Sequence, residues 1–393
     1  MKKIFLILIQ ISWSALVFGQ WTQMNDFPST PTDGAFSFVL DNKGYVGGGL
    51  AGNEVFSFDA SNGEWTEKAP IPSPGDHLAW AFSFVINGKA YVGGGSFETA
   101  SDLTDKMYEY DPQMDTWTEK APYPAGERDG CFSFSVNGKG YVGGGFDGQY
   151  MLFDFYEYNP ATDQWRSLPD YPGGPVLFAV SFVIDGKAYA GTGAQGTMEI
   201  DDIWEFDPTT ESWNQVASFP GESRQAAVGY AVGGKGYIAG GMSDYTTIRS
   251  DLWEYDPAAD NWQKIEDNLP TDQLAWSTAF VLGNDAFIGL GVNLPDFEFS
   301  NSFYKYSHVS TGIYQKTPAA LEVYPNPASS VLNIKNPQAG LNAQGYMLDA
   351  TGKTVKKWKP DESEINIEDL AEGIYLLRLI VEGEIFQQKI LVQ

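Results

Sequence analysis

The chain has 393 residues and a single cysteine, Cys131, so it can hold neither an intramolecular disulfide nor a multi-cysteine metal site. Its two histidines, His77 and His308, leave little for transition-metal chemistry. Basic residues are few as well: 24 Lys+Arg stand against 51 Asp+Glu, for a net charge of −27. Binding to nucleic-acid phosphates or to anionic membranes needs a concentrated basic surface, so both are disfavoured. Long apolar runs are missing apart from Ile4 to Phe18, and nothing after it is apolar enough to cross a bilayer. Lys2 and Lys3 precede that run and Gly19 follows it, the pattern of a secretory signal peptide over 1–19.

What is abundant is glycine and aromatic residues. There are 43 glycines, and aromatics make up 15% of the chain, which excludes an acidic disordered tail. Glycine clusters recur as Tyr45-Val46-Gly47, Tyr91-Val92-Gly93 and Tyr141-Val142-Gly143. Weaker copies follow at Tyr189-Ala190-Gly191, Tyr237-Ile238-Ala239 and Phe287-Ile288-Gly289. Six copies at a period near fifty residues signal a repeat architecture. Each copy carries an alternating strand, a tight turn such as Asn87-Gly88, Asn137-Gly138 or Asp185-Gly186, and the glycine-bearing strand. An aromatic third strand ending in Asp-Pro and a fourth opening on tryptophan complete it. Four short antiparallel strands per unit make a propeller blade.

At these residues the sequence resembles the kelch repeat family over 20–306, which implies an all-β, six-bladed β-propeller. Six glycine clusters accompany only five internal tryptophans (65, 117, 165, 213 and 262), so Trp21 is expected to supply the last strand of blade six. Tyr314 is the competitor. Residues 307–320 read as a linker. From 321 to 393 the grammar shifts to short alternating strands of a small Ig-like sandwich. The pieces Tyr324-Pro325-Asn326-Pro327, Asp349 to Lys353 with Gly352, and Gly373-Ile374-Tyr375 are similar to the type A sorting domain of type IX secretion substrates. The resemblance implies a partner in that secretion machinery and a secreted or surface-displayed product.

No cofactor or metal is expected. The copper set of galactose oxidase-like kelch enzymes cannot be assembled from Cys131, His77 and His308. The resemblance to sialic acid mutarotases, six-bladed kelch proteins, makes Glu127/Arg128 and Glu222/Arg224 candidates for acid–base and carboxylate-binding work. The competing reading makes them interblade arginines bridging backbone carbonyls. Acidic residues before the third strands, Asp202 and Asp251 among them, read as turn caps more readily than as calcium ligands.

One pattern is less generic. Aligned just ahead of the first strands, blades two, four and six carry Trp80, Phe178 and Trp276, while blades one, three and five carry Gly34, Gly130 and Ala226. This spacing predicts three aromatics alternating around the mouth of the central channel, with Arg128 and Arg224 between them. Such a constellation suits a glycan or protein ligand. The favoured expectation is a binding module without catalysis; a purely structural surface protein is the third possibility.

Overall fold

The computed structural model describes residues 20–308, except 98, 100, 101, 245, 273 and 295, and between 322 and 392 all but 325–327, 329, 336–342, 350–352, 359–363 and 382–383. The chain divides into two compact units, residues 1–311 and 312–393. Among the described residues no helix is long and apolar enough to cross a membrane.

The first unit is six four-stranded antiparallel sheets. Blade one is typical: Ala35–Leu40, Lys43–Gly48, Val55–Asp59 and Glu64–Lys68 pair in that order. Along Ala35–Leu40 half-buried and buried residues alternate, so Phe36, Phe38 and Leu40 face the next sheet while Ala35, Ser37 and Val39 face the axis. The hairpin turns behave as their composition dictates: Asn87-Gly88, Asn137-Gly138 and Asp185-Gly186 all adopt positive φ, from 49° to 80°. The first strands neighbour one another in a closed circle, with blade six against blade one.

Blade six is assembled from both ends of the propeller. Thr278–Leu282, Asp285–Gly289 and Phe303–Ser307 are joined by Gln20–Gln23, which runs antiparallel to Phe303–Ser307 with Trp21 opposite Tyr306. Their rings lie 4.8 Å apart. The chain continues into Phe27, which is buried edge-on against Phe56 and Trp65 of blade one. Tyr314 lies outside the described residues.

A period of two blades runs through the packing between sheets. The second strand begins Lys-Gly in blades one, three and five, and Lys-Ala or Asp-Ala in the others. At Gly44, Gly140 and Gly236 an added Cβ would come within 2.2 to 2.3 Å of the rings of Phe280, Phe84 and Phe182 on the preceding blade. Those three phenylalanines use the missing side chain as their seat.

The second unit contains a three-stranded sheet (Glu322–Tyr324, Val331–Lys335, Glu364–Asn366) and a four-stranded one (Thr354–Trp358, Ala343–Leu348, Gly373–Val381, Glu384–Val392). Leu332, Met347, Ile365, Ile367, Leu377 and Ile390 form its core. Tyr375 is buried there and its hydroxyl donates to the Ala371 carbonyl at 2.8 Å, while Gly373 opens the long strand. Pro325, Asn326, Pro327 and Gly352 of the expected sorting signal lie outside the described residues.

Candidate functional site

The six residues ahead of the first strands form a closed ring of backbone hydrogen bonds. Gly34 N–H donates to Trp276, Trp80 to Gly34, Gly130 to Trp80, Phe178 to Gly130, Ala226 to Phe178 and Trp276 to Ala226, at 2.8 to 3.2 Å. Each of the six sits in the left-handed region, with φ between 51° and 66°. Glycine holds that conformation without cost, whereas a side chain costs about 1–2 kcal/mol. Gly34 and Gly130 are thus unstrained, while Trp80, Phe178 and Trp276 are held against their preference.

The three aromatic rings meet. Trp80 lies 6.0 Å from Phe178 and 6.4 Å from Trp276, and Phe178 lies 5.7 Å from Trp276, with interplanar angles of 53° to 81°. Edge-to-face contacts at these distances are favourable. Room for them comes from the small members of the ring: a Cβ on Gly34 would stand 2.7 Å from the Trp80 indole, and one on Gly130 would meet Leu177 and Phe178. With the next residue of each blade, from Ala35 to Ser277, the ring lines a cavity of about 140 Å³.

One layer further along the channel the wall becomes polar. Ser37 Oγ donates to the Ala279 carbonyl, Ser83 to Ser37, Ser133 to Ser83 and Ser181 to Ser133, at 2.7 to 2.9 Å. The hydroxyl chain stops where blade five has Gly229 and blade six Ala279. This layer lines a second cavity of about 240 Å³. Cys131 stands between the two layers in the place of Ala35, Ala81 and Ala179. It is free, and burial pushes its thiol up to about 12, so it is no thiolate nucleophile at neutral pH.

Arg128 and Arg224 do not line either cavity. Their side chains are buried, at 1% and 0% exposure. Arg128 Nη1 donates to the Gly144 carbonyl and to Asp154, and Nη2 to Asp154 and the Ala125 carbonyl. Arg224 repeats the arrangement with Gly240, Asp251 and the Glu222 carbonyl. Each guanidinium also lies 4.7 Å over a ring, Tyr123 or Phe219. Asp251, read from sequence as a turn cap, instead receives Arg224 and the Trp253 indole N–H, because its carboxylate faces inward beneath the loop. Asp202 accepts from Gln215. Glu127 is exposed, and Glu222 pairs with Arg249. Neither glutamate is brought to the aromatic ring.

Sequence reading missed two carboxyls. Asp33 and Asp129 immediately precede ring members Gly34 and Gly130 and are buried, at 3% and 6% exposure. Asp33 Oδ1 has no hydrogen-bond partner. Burial pushes both carboxyls up to about 7. Alignment of the two-blade period holds the signal, since Thr32-Asp33, Arg128-Asp129 and Arg224-Gln225 recur in the odd blades where the even ones have Leu78-Ala79, Val176-Leu177 and Leu274-Ala275.

Comparison with known proteins agrees with this architecture. Residues 127–170 match the kelch motif, and residues 322–393 match the secretion system C-terminal sorting domain. A solved structure described as "Structure of YjhT" superposes with a TM-score of 0.61 and 19% identity, covering 71% of this chain and 96% of that one; at that identity the likeness carries the fold alone. No curated protein matches the chain in sequence. The sorting domain implies handling by the type IX machinery and delivery to the cell surface or beyond. The chain is a kelch-repeat six-bladed β-propeller with a C-terminal type IX secretion sorting domain.

Proposed function

We propose that the propeller is a non-catalytic binding module whose ligand, a glycan or a protein, is received over the central channel at Trp80, Phe178 and Trp276. One observation carries this reading. The ring needs six left-handed residues, and the odd blades mostly meet that need with glycine. The even blades hold large aromatics there at a conformational cost, and strained side chains that persist at a channel mouth mark functional positions. Three aromatic faces beside a cavity suit stacking on sugar rings or on side chains.

The candidate acid–base pairs support binding over catalysis. Arg128 and Arg224 have their Nη groups committed to aspartates and carbonyls, so neither is a ready carboxylate clamp. Segment 1–19, outside the described residues, serves as the signal peptide for export to the periplasm, ahead of passage through the sorting route.

The test is an array of glycans and peptides probed with the exported protein and with a Trp80→Ala/Trp276→Ala variant. Loss of a defined ligand in the variant supports the site; unchanged binding removes it. Anomer interconversion of sialic acid, measured with and without Glu222→Ala, addresses the mutarotase-like alternative. Turnover that depends on Glu222 would replace the binding reading.

A further inference from the structure

The connections leading into the first strands share one face with the loops joining second to third strands, since Ala79 bridges Ser96, Asp129 bridges Phe146 and Gln225 bridges Met242. That face is unusual in two respects. Seven large hydrophobic side chains of the propeller are exposed among the described residues, and only Met114 lies elsewhere. Leu50, Tyr150, Phe153, Met198, Phe297 and Phe299 are all on the second-to-third loops, with Tyr150 and Phe297 at 60% exposure. Apolar side chains gathered on one face of a soluble protein mark a contact surface.

The same face is acidic without compensation. Among its described residues the Lys and Arg side chains are four, and each is already paired: Lys106 with Glu119, Arg249 with Glu222, Arg128 with Asp154 and Arg224 with Asp251. Asp105, Glu199, Asp201, Asp244 and Asp296 on the loops make no ion pair, nor do the buried Asp33 and Asp129 at the ring. Aromatic faces attract cations, tryptophan most strongly.

We propose that this face docks a basic protein segment, a Lys or Arg side chain lying across Trp80, Phe178 and Trp276 while the apolar loop tips cover its aliphatic neighbours. This rests on the binding reading above and narrows it to one partner class.

The experiment uses the full chain and a labelled decapeptide alternating Lys and Leu, with a Glu/Leu decapeptide and a neutral glycan array as comparators. The Lys/Leu peptide is expected to bind and the Glu/Leu peptide not. Tyr150→Ser/Phe297→Ser leaves the charge untouched and sits at exposed tips, so its unfolding temperature should hold. Its affinity for the Lys/Leu peptide should fall about tenfold, the scale of a lost interface anchor. Equal affinity in that variant would mean attraction to net charge alone and would overturn the proposal, as would preference for the Glu/Leu peptide. A neutral glycan lost in Trp80→Ala/Trp276→Ala, with the Lys/Leu peptide unbound, would overturn it while leaving the binding reading standing. No binding by any probe would remove both.

Discussion

Gly34 donates its amide hydrogen to the carbonyl of Trp276 at 3.0 Å, and this bond, with that of the Ser37 hydroxyl to the Ala279 carbonyl, joins the first blade to the sixth at the axis. The outer edge is closed by a second device, the pairing of Gln20–Gln23 with Phe303–Ser307. Closure removes the free edges that would otherwise template aggregation. Deletion of 20–28 opens the outer clasp and also removes Phe27 from its pocket. A buried phenylalanine alone is worth about 3–5 kcal/mol. The unfolding temperature should fall by about 10 °C or more, read by calorimetry. An unchanged value would mean that another segment closes blade six.

Gly140 should tolerate no side chain. Its Cβ would stand 2.3 Å from the Phe84 ring, which is itself buried and stacked on Tyr91. Gly140→Ala should cost about 1–3 kcal/mol by overpacking. Combining it with Phe84→Leu should cost less than the sum of the two single changes, since the smaller side chain vacates the contested space. Strict additivity in chemical denaturation would contradict that packing.

The two buried arginines should differ in severity. Removing one partner of a buried pair costs about 3–5 kcal/mol, because the other charge is stranded. Asp251 is 15% exposed and Asp154 30%. By that exposure Arg224→Met should be the more damaging, even though Asp251 keeps the Trp253 indole N–H and has Lys264 at 4.0 Å, with Arg128→Met cushioned by water reaching Asp154. The reverse order in denaturant midpoints would show that the exposure of the stranded carboxylate does not govern the cost.

Stability should respond to pH from both sides. Asp33 and Asp129 have folded-state values near 7, above the 3.8 of a free carboxyl. Between those values the folded state holds more protons than the unfolded one, so stability falls as pH rises from 4 to 7. His308 is packed among Tyr230, Tyr237 and Tyr306, and burial lowers it to about 4 from 6.5. There the unfolded state holds more protons, so stability falls as pH drops from 6.5 to 4. Asp33→Asn should stabilise at pH 8 by a few kcal/mol at most, since each tenfold change in proton affinity carries about 1.4 kcal/mol, and do little at pH 4. Denaturation midpoints across pH check both halves; a flat Asp33→Asn difference would contradict the carboxyl's role.

Much of the fold was legible because it rests on local rules. The alternation of Ala35 to Leu40 and the Asn-Gly and Asp-Gly turns need only nearest neighbours, and the repeat multiplies the signal sixfold. The alternation of Trp80, Phe178 and Trp276 with Gly34, Gly130 and Ala226 was legible for the same reason. The fate of Arg128 and Arg224 was not. Their carboxylate partners lie 26 and 27 residues downstream, on loops whose aspartates look like turn caps until the backbone is seen. Asp33 and Asp129 escaped notice because their burial shows in the sequence only when the two-blade period is aligned residue by residue.

The central claim is that the channel mouth receives the ligand. A crystal structure of the exported propeller soaked with the best ligand from the array tests it most directly. Ligand density in contact with Trp80, Phe178 and Trp276 is the predicted result. Density on the opposite face, or on the outer edge of the blades, with the three rings untouched, would contradict it.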